Sequence, residues 1–471
     1  MTPPLTFSWL DYSLFAGYVL VLVIISIRTK GEANRSEVEY LLAGRRLTVP
    51  AFVATMVSTW YGGILGVGEY SFMYGISNWL VFGVPYYLAA IIFALYITKP
   101  ARASRLISIP DQLNKAYGKS PAIAGAMMVF VMTVPASYAL MLGELLKLYF
   151  GGSLLLWLVV GTAASTLYMA WGGFQADVRT DKFQFVLMYA GFALMLGIAW
   201  NSFGGIDFLV ANIPAGHFQW DGGRATRSIV VWYFLAMATL IEPSFYQRVY
   251  AAKSPKVARN GILISVLFWI LFDFMSTFTG LYARALLDPN ITPTLSYPLL
   301  AEMILPPGAK GLFFLGLLSV IMSTVDSYTF LAAQTLGRDI VARWRGNSGL
   351  WTPRLIQIGL LSSTLLAIGI AAWKQSVVGI WHDLGSIGLS VLLLPMLGSF
   401  KVPPLWARQS IIPAMAISGA VTLYWTFSKS FSGEFPLGIE TVYMGLGSSL
   451  VVLMGWKWIY RGSKEVKKGV R

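Results

Sequence analysis

The chain reads as a succession of apolar runs. Each approaches the 20 or so residues that a helix needs to cross a bilayer, and short charged loops separate them. Thirteen such segments can be marked, at residues 11–27, 50–74, 79–98, 123–150, 154–171, 181–203, 228–250, 260–286, 311–342, 355–372, 377–397, 408–427 and 437–460. The expected fold is all-α and integral to a membrane, with 13 transmembrane helices in one domain spanning residues 1–471. The longest connection, residues 201–227, holds mostly turn residues and is too short for a soluble domain. Whatever the protein does must happen among its helices.

Composition agrees: 56% of residues are hydrophobic and 12% charged, too apolar for a soluble fold with a polar shell. A net charge of +14 would suggest nucleic acid in a soluble protein. Here the basic residues alternate with the loops, and 28 of the 35 Lys plus Arg fall on one side of the segment order. That bias predicts an outside N-terminus, an inside C-terminus and no nucleic-acid partner, in a multi-pass protein of a bacterial inner membrane in contact with lipid. The first segment has no basic leader, carries Asp11 and precedes Arg28 and Lys30, so it reads as a retained anchor. Zero cysteines exclude disulfides, thiolate metal sites and a cysteine nucleophile. No Walker loop, HExxH or GxSxG motif is present, which leaves ATP-driven pumping and hydrolysis without support; no enzyme activity and no obligate protein partner are expected.

Two segments are interrupted at corresponding places. The second carries Thr59-Trp60-Tyr61-Gly62-Gly63, then Gly66 and Gly68; the seventh carries Glu242-Pro243 at its middle. Proline deletes a backbone hydrogen bond, and a carboxylate facing lipid is costly. The breaks lie five segments apart, as in inverted repeats that build a site from discontinuous helices. Residues 50–203 and 228–397 then form two five-helix halves of opposite orientation, with 11–27 and 408–460 peripheral. The competing reading is that the glycines only let helices pack closely.

In the ninth segment Val320, Ser323, Thr324 and Ser327 share one helical face. Hydroxyls and carbonyls without carboxylates suit a hard monovalent cation; alternatively, such hydroxyls bond back to their own helix. Asp326 beside them is a functional candidate because it is an acid in a membrane segment. Among the other acids, Asp181 begins a helix after Gly172-Gly173 and reads as a cap. Glu69 and Glu144 lie near hydrated ends, Asp273 is deep, and His382-Asp383 is either a proton relay or a packed polar pair. Trp60, Tyr61, Phe245 and Tyr246 flank the breaks, as solute contacts or as packing aromatics.

Four stretches, "EYLLAGRRLTVP" (39–50), "GGFQADVRTDKFQ" (172–184), "FYQRVYAAKS" (245–254) and "SVIMSTVDS" (319–327), resemble the sodium:solute symporter family along essentially the whole chain. The resemblance implies a leucine-transporter-type five-plus-five inverted repeat. It implies a main sodium (Na+) site from the carbonyls of Met56, Thr59 and Val320 and the hydroxyls of Ser323 and Thr324, the last standing where many relatives have Ser. It also implies, as in some members, a second sodium near Asp181, Ser323, Asp326 and Ser327. Asp177 and Arg179 depart from the apolar residues usual there. "STWYGG" (58–63) is similar to choline transporters of the family, with Trp60 matching an aromatic and Glu242 replacing another. The expected solute contacts are Ser58, Trp60, Tyr61, Gly62, Gly63, Glu242, Phe245 and Tyr246.

The expected function is sodium-coupled uptake of a small cationic or zwitterionic solute, amino acid or choline-like. Proton-coupled transport through Asp181, Asp326 or Glu242 is the first rival, a transport-inactive sensor or scaffold the second and a membrane-embedded enzyme the third.

Overall fold

The computed structural model describes residues 5–33, 36–346, 353–374, 377–432 and 435–469. Among them every regular element is helical; the one strand-like contact is a bridge between Leu47 and Ala252. Among the described residues, ten helices are long and apolar enough to cross a bilayer. The pair Val49–Trp60 and Ile64–Tyr74, bent by 61°, adds an eleventh if taken as one span. Leu154–Leu167 and Asp383–Ser399 are apolar but shorter.

The centre of the bundle is the helix Ala309–Gln334, the most buried of the long helices. It packs along Leu154–Phe203. Gly191 and Gly316 face each other at this crossing: a Cβ on either would sit 3.5–3.6 Å from the other's Cα. Small residues matter here because lipid gives no hydrophobic drive for association, so close backbone approach must supply the contact energy. The first helix, Trp9–Ala33, lies outside this pair, with Val19, Leu20 and Val23 exposed. A buried carboxylate clamps it: Asp11 Oδ1 accepts from Gly308 N at 2.8 Å and Gly311 N at 2.7 Å.

The structure corrects one expected loop. The helix Leu154–Phe203 runs through Gly172-Gly173 with a kink at Gly173, whose φ is +55°. A Cβ there would lie 2.7 Å from the Tyr40 carbonyl, so glycine relieves both the torsion and the clash. Asp181 consequently lies two turns past the kink and inside the helix; it caps nothing. A further break was not anticipated: residues 123–150 are divided at Val134-Pro135 into Lys119–Thr133 and Ala136–Phe150.

One end of the bundle is tied by ion pairs. Arg338 bonds Glu37, Asp111 and Asp339, and Arg343 bonds Asp111 and Asp339, all at 2.5–3.1 Å. Burial alone would raise the Asp111 pKa, but the two guanidiniums hold it below the ordinary carboxylate value. A depressed carboxylate contributes its stability above its unfolded pKa of about 3.9 and loses it only as pH falls through the lower folded value. Asp111→Asn should therefore speed amide exchange in the helix Ile109–Tyr117, whereas acidification to about pH 5 should not. Gly173→Ala should cost about 1–3 kcal/mol, read as a fall in thermal unfolding temperature.

Candidate functional site

The helix Val49–Trp60 ends at Tyr61, and both Tyr61 and Gly63 leave helical geometry before Ile64–Tyr74 resumes. Such a break frees carbonyls that nothing in hydrocarbon can satisfy, so the protein must. Thr324 does so: its Oγ1 donates to Thr59 O at 2.8 Å and to Val320 O at 3.2 Å. Gly62 permits the approach, since a Cβ there would stand 2.3 Å from Thr324 Oγ1. Of the expected main sodium ligands, Thr59, Val320 and Thr324 thus converge, and Met56 is buried one turn earlier on the same helix. Ser323 stands beside them, its Oγ 3.2 Å from Thr59 Oγ1, and donates to Asp181 Oδ1 at 2.5 Å.

Asp181, Ser323 and Ser327, expected together at a second sodium, do meet, but in a cluster centred on Arg248, whose part the sequence reading missed. Arg248 is one of the 28 Lys and Arg that the charge bias assigns to the inside loops; the structure places it in the helix Pro243–Ala251, fully buried. Its guanidinium donates to Thr59 Oγ1 at 2.6 Å, Ser327 Oγ at 2.9 Å, Thr55 Oγ1 at 3.1 Å and Ser244 O at 3.3 Å. Asp181 lies 3.5 Å and Asp177 3.7 Å away. Thr55 donates to Asp181, and Ser327 donates to Asp177 at 2.8 Å. Asp326, one residue before Ser327 and so about 100° around the helix, accepts from Ser165. The carboxylate that receives Ser327 is therefore Asp177. Two signals were available: an arginine inside the marked segment 228–250, and two aspartates four apart, hence on one helical face.

Beside the span-two break lies a cavity of about 490 Å³. Trp60, Tyr61, Gly63 and Glu242 line it, together with Tyr86, Tyr138, Trp232, Tyr328 and Trp381. Met132, Val134, Ser137 and Tyr138, which flank the Pro135 break, form part of the wall. In the seventh span the helix Thr226–Leu235 tightens into the 3-10 turn Ala236–Ile241, and Glu242 is extended before Pro243–Ala251 begins. One oxygen of Glu242 accepts from Tyr328 at 2.9 Å and from Ser244 N at 3.3 Å. Glu69 and Asp273 also face the cavity, and among the described lining residues Arg224 is the one cation. Asp273 accepts from Tyr87.

Other expected residues lie behind the wall. Phe245 packs edge-on against Trp60 and Phe93, and Tyr246 donates to Leu240 O at 2.9 Å. Ser58 Oγ donates to Ala54 O at 2.9 Å and receives Ser323 at 3.1 Å, which sets it in the hydroxyl cluster. The His382 side chain lies outside the described residues; Asp383 accepts from Lys374.

Residues 40–397 match the profile of the Sodium:solute symporter family (SSF). The chain is 24% identical to the high-affinity choline transporter 1 of Drosophila melanogaster, over 82% of this chain and 65% of that one. It is 25% identical to the osmoregulated proline transporter OpuE of Bacillus subtilis (strain 168), over 82% and 83%. A solved Na+-coupled sialic acid symporter, in a substrate-bound outward-open state that reveals a novel Na+ site, superposes with a TM-score of 0.78 at 14% identity, over 95% of this chain and 97% of that one. The likeness places the chain in the leucine-transporter-type fold. Gly62→Ala should drive Thr324 away from the span-two break, raising amide exchange across residues 56–66 and 320–327 while the rest of the bundle stays protected.

Proposed function

Because the chain belongs to the sodium:solute symporter family, we propose that it carries a small cationic or zwitterionic organic solute into the cell together with sodium. The observation that supports this most is the meeting of Thr324 with the unwound Thr59 carbonyl at the edge of the acidic, aromatic-walled cavity. In this reading the chain crosses a bacterial inner membrane thirteen times, N-terminus outside. The two shorter helices, 154–167 and 383–399, then complete the count. Residues 50–203 and 228–397 are the inverted halves, and the first helix and last two are peripheral.

Sodium arriving from outside takes the carbonyls of Met56, Thr59 and Val320 and the hydroxyl of Thr324, whose proton turns away from Thr59 O. Ser323 joins by rotating from Asp181. Joining the second and ninth spans stabilises the state in which the cavity faces outward, since an ion shifts a conformational equilibrium only by binding one state better. Solute then settles against Glu242 and the faces of Trp60 and Tyr138. Three carboxylates against one guanidinium favour positive charge there, and aromatic faces add cation–π attraction. Rocking of one half against the other exposes both cargoes to the cytoplasm, and for that the ion pairs of Arg338 and Arg343 must part. One charge crossing about 100 mV contributes about 2.3 kcal/mol, and a tenfold sodium gradient about 1.4 kcal/mol more. Together they sustain a solute ratio of several hundred.

Replacing Ser323 and Thr324 together by Ala should abolish sodium-dependent uptake and sodium-induced thermal stabilisation while the protein remains folded. Unchanged sodium affinity in that variant removes the site. In a thermal-shift screen with sodium, amines, betaines and amino acids should stabilise the protein and organic anions should not. Glu242→Gln should weaken binding of the best cationic hit by about tenfold or more.

A further inference from the structure

Three guanidiniums at one end of the bundle have no carboxylate to answer them. Arg45 stands just before the second span, and Arg102 and Arg105 lie at the end of the third. Arg45 Nη2 donates to Arg105 O at 2.7 Å and Leu106 O at 3.2 Å, and its Nη1 donates to Tyr250 O at 3.4 Å. Arg102 Nε donates to Ala252 O at 2.6 Å, and Ala252 is bridged to Leu47, two residues after Arg45. The three residues therefore meet around one small knot of backbone. Arg45 and Arg105 both take left-handed torsions there, with φ at +57°, which is uncommon for a residue with a side chain.

The acids beside them are already engaged: Glu39 by Arg46 at 2.6 Å, and Asp111 by Arg338 and Arg343. Carbonyls accept single N–H groups but cancel no charge. Burial, and then the charges of Arg102 and Arg105, hold the Arg45 pKa below the ordinary arginine value, so the cluster carries repulsion as well as unspent donors. Among the described residues neither terminal nitrogen of Arg102 donates to anything, and the exposed Arg105 side chain makes no hydrogen bond. Guanidinium forks fit the oxygens of a phosphate two at a time. We propose that Arg45, Arg102 and Arg105 together bind a phosphate group, which ties the ends of the second and third spans to the end of the helix Pro243–Ala251. Two sources carry that group: the headgroup of an anionic phospholipid and phosphate free in solution. A bilayer brings the first within reach, since Leu95 and Tyr96 are exposed on the third span about two turns before Arg102. The site needs neither sodium nor solute, and it stands or falls apart from the transport reading.

The test reads the thermal unfolding temperature of the purified chain in a neutral detergent. Potassium phosphate is compared with potassium chloride at equal ionic strength, and dihexanoyl phosphatidylglycerol with dihexanoyl phosphatidylcholine, whose choline cancels the headgroup charge. Stabilisation by phosphatidylglycerol but not by phosphate identifies the headgroup, stabilisation by phosphate identifies the free anion, and either supports the site. Replacing Arg102 and Arg105 together by Gln should raise the half-saturating concentration of the active probe by about tenfold or more. Replacing Arg354 and Lys401 together by Gln, exposed basic residues elsewhere in the chain, should leave it unchanged. No effect of phosphate together with equal effects of the two lipids overturns the proposal. So does a response that survives the Arg102 and Arg105 replacement, or one that both double variants weaken equally. Should the Arg102 and Arg105 variant fail to fold, Arg105→Gln alone must still raise the half-saturating concentration, and an unchanged value there overturns the proposal as well.

Discussion

A charged group in hydrocarbon must be satisfied by protein, and Arg248 is the fullest case here. Removing a guanidinium from water costs several kcal/mol, and removing one partner of such a buried cluster typically costs about 3–5 kcal/mol. The debt is met by hydroxyls and carboxylates from the helices Val49–Trp60, Leu154–Phe203 and Ala309–Gln334, which are thereby fixed relative to Pro243–Ala251. The broken second span, the central ninth and the helix that follows Glu242 cannot shift independently without leaving that charge exposed to an apolar medium. The rest of the site inherits its register from this requirement.

The two ends of the bundle differ in what fills them. At one end Glu37, Asp111, Arg338, Asp339 and Arg343 share a mesh of short ion pairs with little water to screen them. At the other, the cavity is lined by Glu69, Tyr70, Met73 and Tyr74 from the second half of the broken span and by Arg224 from the long connection. The connection packs on that end: His217 O accepts Ile76 N at 2.9 Å, and Gly75 leaves no space for a side chain beneath it. Charge thus ties one side of the bundle, and a cavity occupies the other.

Helix content and the two breaks were legible in the chain because hydrophobic length and helix-breaking residues act locally. Gly62-Gly63 and Glu242-Pro243 carry their own explanation. So does the face Val320–Thr324, because helical periodicity alone aligns its oxygens. The kink at Gly173 looked like a loop because a single left-handed glycine and a connection of several residues leave the same trace in sequence. Pro135 was passed over inside a long apolar run, although a proline there disrupts backbone hydrogen bonds as surely as Pro243 does. Arg248 was misread for a different reason. Loop charges are counted by sign, and a basic residue at the edge of an apolar run looks like a topogenic signal until its partners, 67 to 193 positions away in the chain, are brought to it by folding. Phe245 and Tyr246 failed similarly: adjacency to a break does not say which way a ring points.

The helix Pro243–Ala251 is short and begins at Glu242, which faces the cavity, while Arg248, about 9 Å further along its axis, bonds Thr59 at the ion cluster. In the proposed transport cycle, a single rigid turn and a half of helix therefore separates the solute's Glu242 from the cluster beside the sodium. No relay of repacking side chains is required for one to sense the other; a tilt of this rod is felt at both ends at once. Thermodynamic reciprocity then makes the device two-way. In that cycle, whatever factor sodium adds to solute affinity, solute must return to sodium, and one short helix is the distance over which that exchange would be made.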